Sequence, residues 1–255
     1  MRNIQNTCRP RGGIGVHFVG AGSGAKDLIT VRGAKLLGEA DVVIYAGSLV
    51  NPELLEYVKP GCEGHDSAKM TLEEVLAVIR DAEAAGKTTV RLHTGDSSLY
   101  GAVREQFDPL EALGIPYDVC PGVSAFCGAA AALKAEYTLP DVSQTVIITR
   151  CAGRTPVPER ESIRALAAHG ATMVLFLSTG LTAKVQEELL AGGVSADTPA
   201  AVVYKATVGT LHECVAASGI TKTALIVVGR CLGDEYLRSK LYDPGFSTEF
   251  REASR

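Results

Sequence analysis

The chain has 255 residues, 46% apolar and 21% charged, with a net charge of −4 at pH 7, which suits a soluble protein with a substantial core in one large domain or two of ordinary size. It has no excess of positive charge to attract a phosphate backbone, no Trp, and only 5% aromatic residues for stacking bases, so nucleic acid is excluded as a partner. No apolar run approaches the roughly 20 residues that cross a bilayer, which excludes a membrane span, and seven cysteines without a CxxC pair read as core thiols of a cytoplasmic protein.

The polar opening MRNIQNTCRPRG predicts a loose segment rather than a leader. IGVHFVG (14–20) reads as a strand, 27–39 as a helix and DVVIYAG (41–47) as a second strand. TLEEVLAVIRDAEAAG (71–86) carries the clearest helix signal, with Thr71 and Glu74 at capping-box spacing and Gly86 at the end. TTVRLHTG (88–95) and YDVCPG (117–122) read as strands. SAFCGAAAALKAEYTL (124–139) reads as an alanine-rich helix suited to burial or to bridging two bodies, interrupted at Pro140. The alternation then resumes with TVIITR (145–150), a charged helix near 159–169, TMVLFLS (172–178), a helix near 181–191, AAVVYKA (200–206) and ALIVVGR (224–230). Such alternation predicts α/β architecture. Two lobes are expected, 13–122 and 123–242, with loose tails at 1–12 and 243–255.

VGAGSGAKDL (19–28) fits G-x-G-x-x-[GA] at Gly20, Gly22 and Ala25. A dinucleotide site also needs a carboxylate just after the second strand. Asp41 precedes VVIY instead, and Ala46-Gly47-Ser48 follow it, so a nicotinamide-dependent oxidoreductase is the weaker alternative. Small-residue endings recur at 20–24, 46–48 and 94–97. At the carboxyl edge of a parallel sheet they would form a trough with little side-chain obstruction, open to a broad, flat ligand. In RLHTGDSSLYGA (91–102), Asp96 reads either as a helix cap or as a ligand contact. His17 and His93 read as satisfied structural residues within strands, and His65-Asp66 in GHDSAK (64–69) either as a substrate contact or aid to proton movement or as a solvated loop. There is no nucleophile-elbow triad, no HExxH and no metal-ligand spacing of Cys and His. No residue reads as a general base.

Taken together, VGAGSGAKDLIT, TGDSSLYG, PGVSA, TMVLFLS, AAVVYKAT and TALIVVG resemble, in order, the motifs of the tetrapyrrole methylases, the class III S-adenosylmethionine-dependent methyltransferases. They span 19–229. DVVIYAGSLV (41–50), RLHTGDSSLYGAVREQ (91–106) and AGRTPVPERES (152–162) are similar to the branch acting at C-11 of precorrin-4 or cobalt-precorrin-4 in cobalamin biosynthesis. Other ring positions within the family, and a ligand-binding protein without activity, are the remaining alternatives. The resemblance implies two α/β domains with a cofactor cleft between them, S-adenosyl-L-methionine as methyl donor, a tetrapyrrole substrate and a homodimer. It places cofactor contacts at Gly95, Asp96, Leu99, Ser124, Ala125, Leu177, Ala206, Thr223 and Ala224. Substrate contacts would fall at Gly22, Ser23, Ser48 and Arg154; a polycarboxylate ring needs cations, and Arg154 is chosen over Arg150 and Arg160 because it sits in the stretch similar to the C-11 branch. The chain departs from the family pattern with serine in place of proline at Ser23 and Ser97, and with VGTLHE (208–213) directly after VVYKAT. Any cobalt would belong to the substrate.

Overall fold

The computed structural model describes residues 15–47, 49–203 and 224–234, together with 219, 247 and 252. The chain divides into two compact units, one ending at Ala125 and the other beginning at Phe126.

In the first unit, five strands form one sheet: β1 (Val16–Gly20), β2 (Val42–Tyr45), β3 (Glu63–Asp66), β4 (Thr89–His93) and β5 (Tyr117–Cys120). Their order is β3-β2-β4-β1-β5, and every pairing is parallel. Side chains alternate across such a sheet. Phe18, Val42 and Ile44 pack with Ile79 of α2 (Leu72–Ala84) and Leu110 of α3 (Arg104–Leu113) on one face. Val19, Val43 and Leu92 pack with Leu37 of α1 (Val31–Glu39) on the other. Burial on both faces explains why these strands read as apolar runs rather than strict alternation. Because all five strands run the same way, the loops after them gather along one edge.

Local signals account for most boundaries. Thr71 accepts from the Glu74 N–H at 3.3 Å while the Glu74 carboxylate accepts from the Thr71 N–H at 2.7 Å, a complete capping box. The helix expected from 27 starts only at Val31, where the Thr30 hydroxyl accepts from the Gly33 N–H at 3.0 Å. A 3-10 turn, Lys26–Leu28, fills the gap. Two elements lie where no pattern announced them, the edge strand β3 and helix α3, and His65 sits in β3 rather than in a loop.

The second unit has a four-stranded sheet of β6 (Val146–Arg150), β7 (Thr172–Phe176), β8 (Ala200–Val203) and β9 (Leu225–Val228), in the order β6-β7-β9-β8. β6 and β7 are parallel, whereas β9 runs antiparallel to both neighbours. Ile163 of α5 (Ile163–Ala167) and Val185 and Leu189 of α6 (Thr182–Ala191) bury against Met173, Leu175 and Ile226. Helix α4 (Ala125–Leu133) is shorter than the expected 124–139. Lys134 adopts φ +51°, a left-handed conformation that ends the helix before Pro140 is reached. The charged helix expected over 159–169 likewise divides into a 3-10 turn, Glu159–Glu161, and α5. Among the described residues no helix is long and apolar enough to cross a membrane. Ser48, Ala206 and Thr223 lie outside the described residues.

Candidate ligand site at the strand ends

The loops after β1, β4 and β5 meet through backbone alone. The Ala21 N–H donates to the His93 carbonyl at 2.7 Å, and Gly22 and Gly95 exchange N–H···O bonds of 3.2 and 3.0 Å. A Cβ on Gly122 would lie 2.1 Å from the Gly95 carbonyl oxygen and 2.7 Å from Gly20 Cα, and one on Gly20 would lie 2.5 Å from the Gly122 nitrogen. These glycines are therefore required by one another. Their smallness lets three chain reversals pack into one junction, with Gly22 (φ +84°) and Gly95 (φ +61°) supplying left-handed turns. The loop after β2 joins the same edge. Asn51 Nδ2, just beyond it, donates to the Gly24 carbonyl at 3.0 Å.

Two carboxylates brace this edge in the same manner. Asp96 accepts from its own loop at the Ser98 N–H (2.9 Å) and hydroxyl, and from the neighbouring loop at the Gly122 N–H (2.8 Å). Asp66 accepts from the Ala68 N–H at 3.0 Å and from the Gly47 N–H at 2.8 Å. Partial burial raises the Asp96 pKa, but the hydrogen bonds from Ser98 and Gly122 outweigh it and hold the carboxyl below the usual range. For Asp66 the backbone donors Ala68 and Gly47 do the same. Asp96 is not a helix cap. The next helix starts at Arg104, after Val103, which makes no side-chain cap.

Past Asp96 the chain folds tightly on itself. Tyr100 (φ +57°) and Ala102 (φ +49°) are both left-handed, and a Cβ on Gly101 would lie 2.2 Å from the Ser97 carbonyl oxygen. Conformations so uncommon for L side chains persist only where the surrounding structure holds them. Leu99 is half-buried and Tyr100 exposed. Across the junction Ser124 is buried, and the Ala125 nitrogen would lie 3.3 Å from a Cβ on Gly95. Ala125 opens α4, whose first-turn N–H groups have no intrahelical acceptor. Two polar atoms at this edge lack partners among the described residues, Ser23 Oγ and His93 Nε2. His17, by contrast, pairs with Asp118 at 2.6 Å, and His65 with Glu63 at 2.9 Å. The expectation that His93 is satisfied is thus corrected. It is buried and structural, but its Nε2 is orphaned.

In the second unit, antiparallel pairing of β7 and β9 matches Met173 with Val228 and Leu175 with Ile226. Leu177 and Ala224 lie just beyond the paired stretch, two residues past Leu175 and Ile226. Thr179 Oγ1 closes that end by donating to the Ala224 carbonyl at 2.9 Å. Leu177 itself is left-handed (φ +53°) and 70% exposed. The buried Ser178 hydroxyl donates to the Phe176 carbonyl at 2.6 Å and accepts from the Cys151 N–H at 2.8 Å, which turns Leu177 outward. Beside it, Arg150 is spent on structure, donating to the Thr155 and Pro156 carbonyls at 3.2 and 2.7 Å. Arg160 pairs loosely with Glu161 at 3.8 Å. Arg154, on the loop that Arg150 shapes, is exposed.

This geometry argues against a dinucleotide. The glycine loop runs into a 3-10 turn and an extended Ile29–Thr30 rather than directly into a helix, so no helix N-terminus receives a pyrophosphate. Asp41 lies at the opposite end of β2, accepting from the Thr88 N–H at 2.9 Å and pairing with Lys59 at 2.6 Å. Asp66 reads from the sequence as a partner of His65 in substrate contact or proton movement, whereas its bonds run to the Gly47 and Ala68 N–H groups; the bracing role of Ser178 has no sequence signal. The Asx-turn pattern in Asp66-Ser67-Ala68 is the local signal for the bracing role of Asp66.

Residues 15–216 match the family described as tetrapyrrole (corrin/porphyrin) methylases. The chain is 51% identical over 251 residues to a cobalt-precorrin-4 C(11)-methyltransferase of Methanocaldococcus jannaschii, covering 94% of this chain and 97% of that one. It is 45% identical over 250 residues to a precorrin-4 C(11)-methyltransferase of a Sinorhizobium species, covering 92% and 98%. A solved cobalt precorrin-4 methyltransferase superimposes with a TM-score of 0.83 at 46% identity, over 86% of this chain and 96% of that one. A uroporphyrin-III C-methyltransferase of Thermus thermophilus, solved with S-adenosylhomocysteine, superimposes with a TM-score of 0.68 at 26% identity, over 86% and 93%.

Proposed function

The chain belongs to the tetrapyrrole methylase family, and from that premise we propose that it transfers a methyl group from S-adenosyl-L-methionine to C-11 of precorrin-4 or cobalt-precorrin-4. The observation that carries this reading is the 51% identity, running over 94% of the chain, to a protein of that activity. The residues at the strand ends fit such a donor. Gly95 and Gly122 leave backbone bare of side chains, Asp96 fixes the loop that Leu99 belongs to, and Ser124 and Ala125 lead into a helix start. In the second unit Leu177 offers an exposed apolar surface at the end of β7, and Ala224 lies just before β9. These are the proposed cofactor contacts, with Gly22, Ser23 and Arg154 on the substrate side.

When bound, S-adenosylmethionine supplies a methyl already activated on a sulfonium, so the transfer needs no covalent nucleophile. What the protein contributes is alignment and exclusion of water. Fixing two reactants in line is worth up to about 7–11 kcal/mol in well-oriented systems. In the first unit the paired Gly22–Gly95 backbone bonds and the Asp96 brace supply rigidity, and in the second the Ser178 tether of Leu177 does so. An arginine at 154 suits a carboxylate of the macrocycle, since guanidinium binds carboxylates bidentately. A homodimer, in the cytoplasm, completes the reading.

Incubation with methyl-labelled S-adenosylmethionine and precorrin-4, with and without cobalt, followed by mapping of the label, tests it. Label at C-11 is the expected result. Label on another ring carbon, or none with either substrate, would refute it.

A further inference from the structure

We infer that Arg91 and Gln106 form a buried strut that sets the conformation of the 97–102 loop and so makes Gln106 a positioning residue for the methyl donor. The link to the donor rests on the function proposed above; the strut itself does not. Arg91 of β4 and Gln106 of α3 are 8% and 4% exposed, on the sheet face otherwise filled by Phe18, Val42, Ile44 and Leu110. A guanidinium in such surroundings is costly unless its donors are met. None of its hydrogen bonds among the described residues goes to a carboxylate. Nη1 donates to the Ile44 carbonyl at 3.2 Å and the Leu92 carbonyl at 3.5 Å, near the ends of β2 and β4, and Nε donates to Gln106 Oε1 at 3.1 Å. Gln106 passes the restraint on, its Nε2 donating to the Ala102 carbonyl at 3.2 Å.

The polarity of this relay is fixed. Arginine can only donate and a carbonyl can only accept, so the group between them must accept on one side and donate on the other, which an amide does. The loop it reaches needs such a hold. Tyr100 and Ala102 sit in left-handed conformations around Gly101, while Asp96 clasps only the opposite end of the same loop. The loop is thus held from the surface edge by Asp96 and from the core by Gln106.

Gln106→Glu separates holding the fold from holding the loop. A carboxylate keeps the bond to Arg91 and strengthens it, and the neighbouring cation keeps that carboxylate ionised. Toward Ala102 it presents an acceptor to an acceptor. In the full-length protein the variant should unfold at the wild-type urea concentration or above. Amide exchange over 97–103, measured without ligand, should be several-fold faster. S-adenosylhomocysteine should bind about tenfold more weakly, as expected for one lost hydrogen bond to a positioned loop. Should Gln106→Glu fail to fold, Gln106→Met removes both bonds without adding charge and reports on the same amides. Unchanged exchange over 97–103 in the folded variant would overturn the strut. Faster exchange with unchanged affinity would overturn its role in positioning the donor. Absence of S-adenosylhomocysteine binding by the wild type would count against the proposed function, and the exchange rates would still decide the strut.

Discussion

His93 places an imidazole at the end of β4, stacked on Phe18 with ring centroids 6.0 Å apart, and leaves Nε2 unpartnered among the described residues. Burial, with the Arg91 guanidinium adding to it, pushes its pKa down to about 3. The unfolded chain takes up that proton near pH 6.5. Between those values acid favours the unfolded state, so the stability linked to His93 is complete above pH 6.5 and is lost as the pH falls toward 3. At pH 5 the loss is on the order of 2 kcal/mol. His93→Phe keeps an aromatic ring against Phe18 and removes both the titration and the orphaned nitrogen. Urea unfolding should show the variant gaining more over wild type at pH 5 than at pH 8; parallel pH profiles would contradict this. Asp96 and Asp66 behave with the usual carboxylate sign. Their depressed pKa values add stability above the unfolded value and give it up on acidification through the folded one, at a lower pH than His93.

The strand-end loops act as one element because Gly20, Gly95 and Gly122 pack backbone to backbone. Gly122→Ala drives a methyl into the Gly95 carbonyl and Gly20 Cα, neither of which can swing aside. A cost of about 1–3 kcal/mol is expected from such overpacking. Gly38→Ala in α1, where the nearest atom lies 3.5 Å away, should be neutral or mildly stabilising. Equal urea midpoints for the two variants would refute the junction. What the sequence revealed of these elements follows from what is local. The Thr71–Glu74 capping box is wholly contained in four residues, and its helix stands where the pattern put it. Strand β3 is Glu63-Gly64-His65-Asp66, with no apolar run because it is an edge, and α3 hides behind Pro109 and its charges. The end of α4 turns on one dihedral at Lys134, inside a run whose composition gives no sign of stopping. Glycines 20 and 95 are legible as permissive, and Gly122 carries no such signal. That they are needed by each other depends on strands β1, β4 and β5 lying side by side, a tertiary fact. Of the two sequence readings of Asp96, the helix cap fails because no helix follows until Arg104, and the carboxylate instead ties Ser98 to Gly122.

At the scale of the molecule, each unit brings its distinctive backbone to the ends of its strands by different means. The first does so with an all-parallel sheet whose following loops share one edge. The second uses an antiparallel β9, whose leading residue Ala224 is tied to Thr179 beyond the end of β7. Alternating strand and helix patterns indicated α/β units but carried no information on the direction of β9, since β-rich runs look alike in either sense. The family resemblance, read from six short motifs, is matched by the similarity to methyltransferases over nearly the whole chain. The central claim is that these strand ends hold the methyl donor. Hydrogen exchange of the whole protein with and without saturating S-adenosylhomocysteine tests it most directly. Slower exchange is predicted over 94–102, 122–126 and 176–179, with the rest of both sheets unchanged. Protection confined to other segments, or none at saturation, would contradict it.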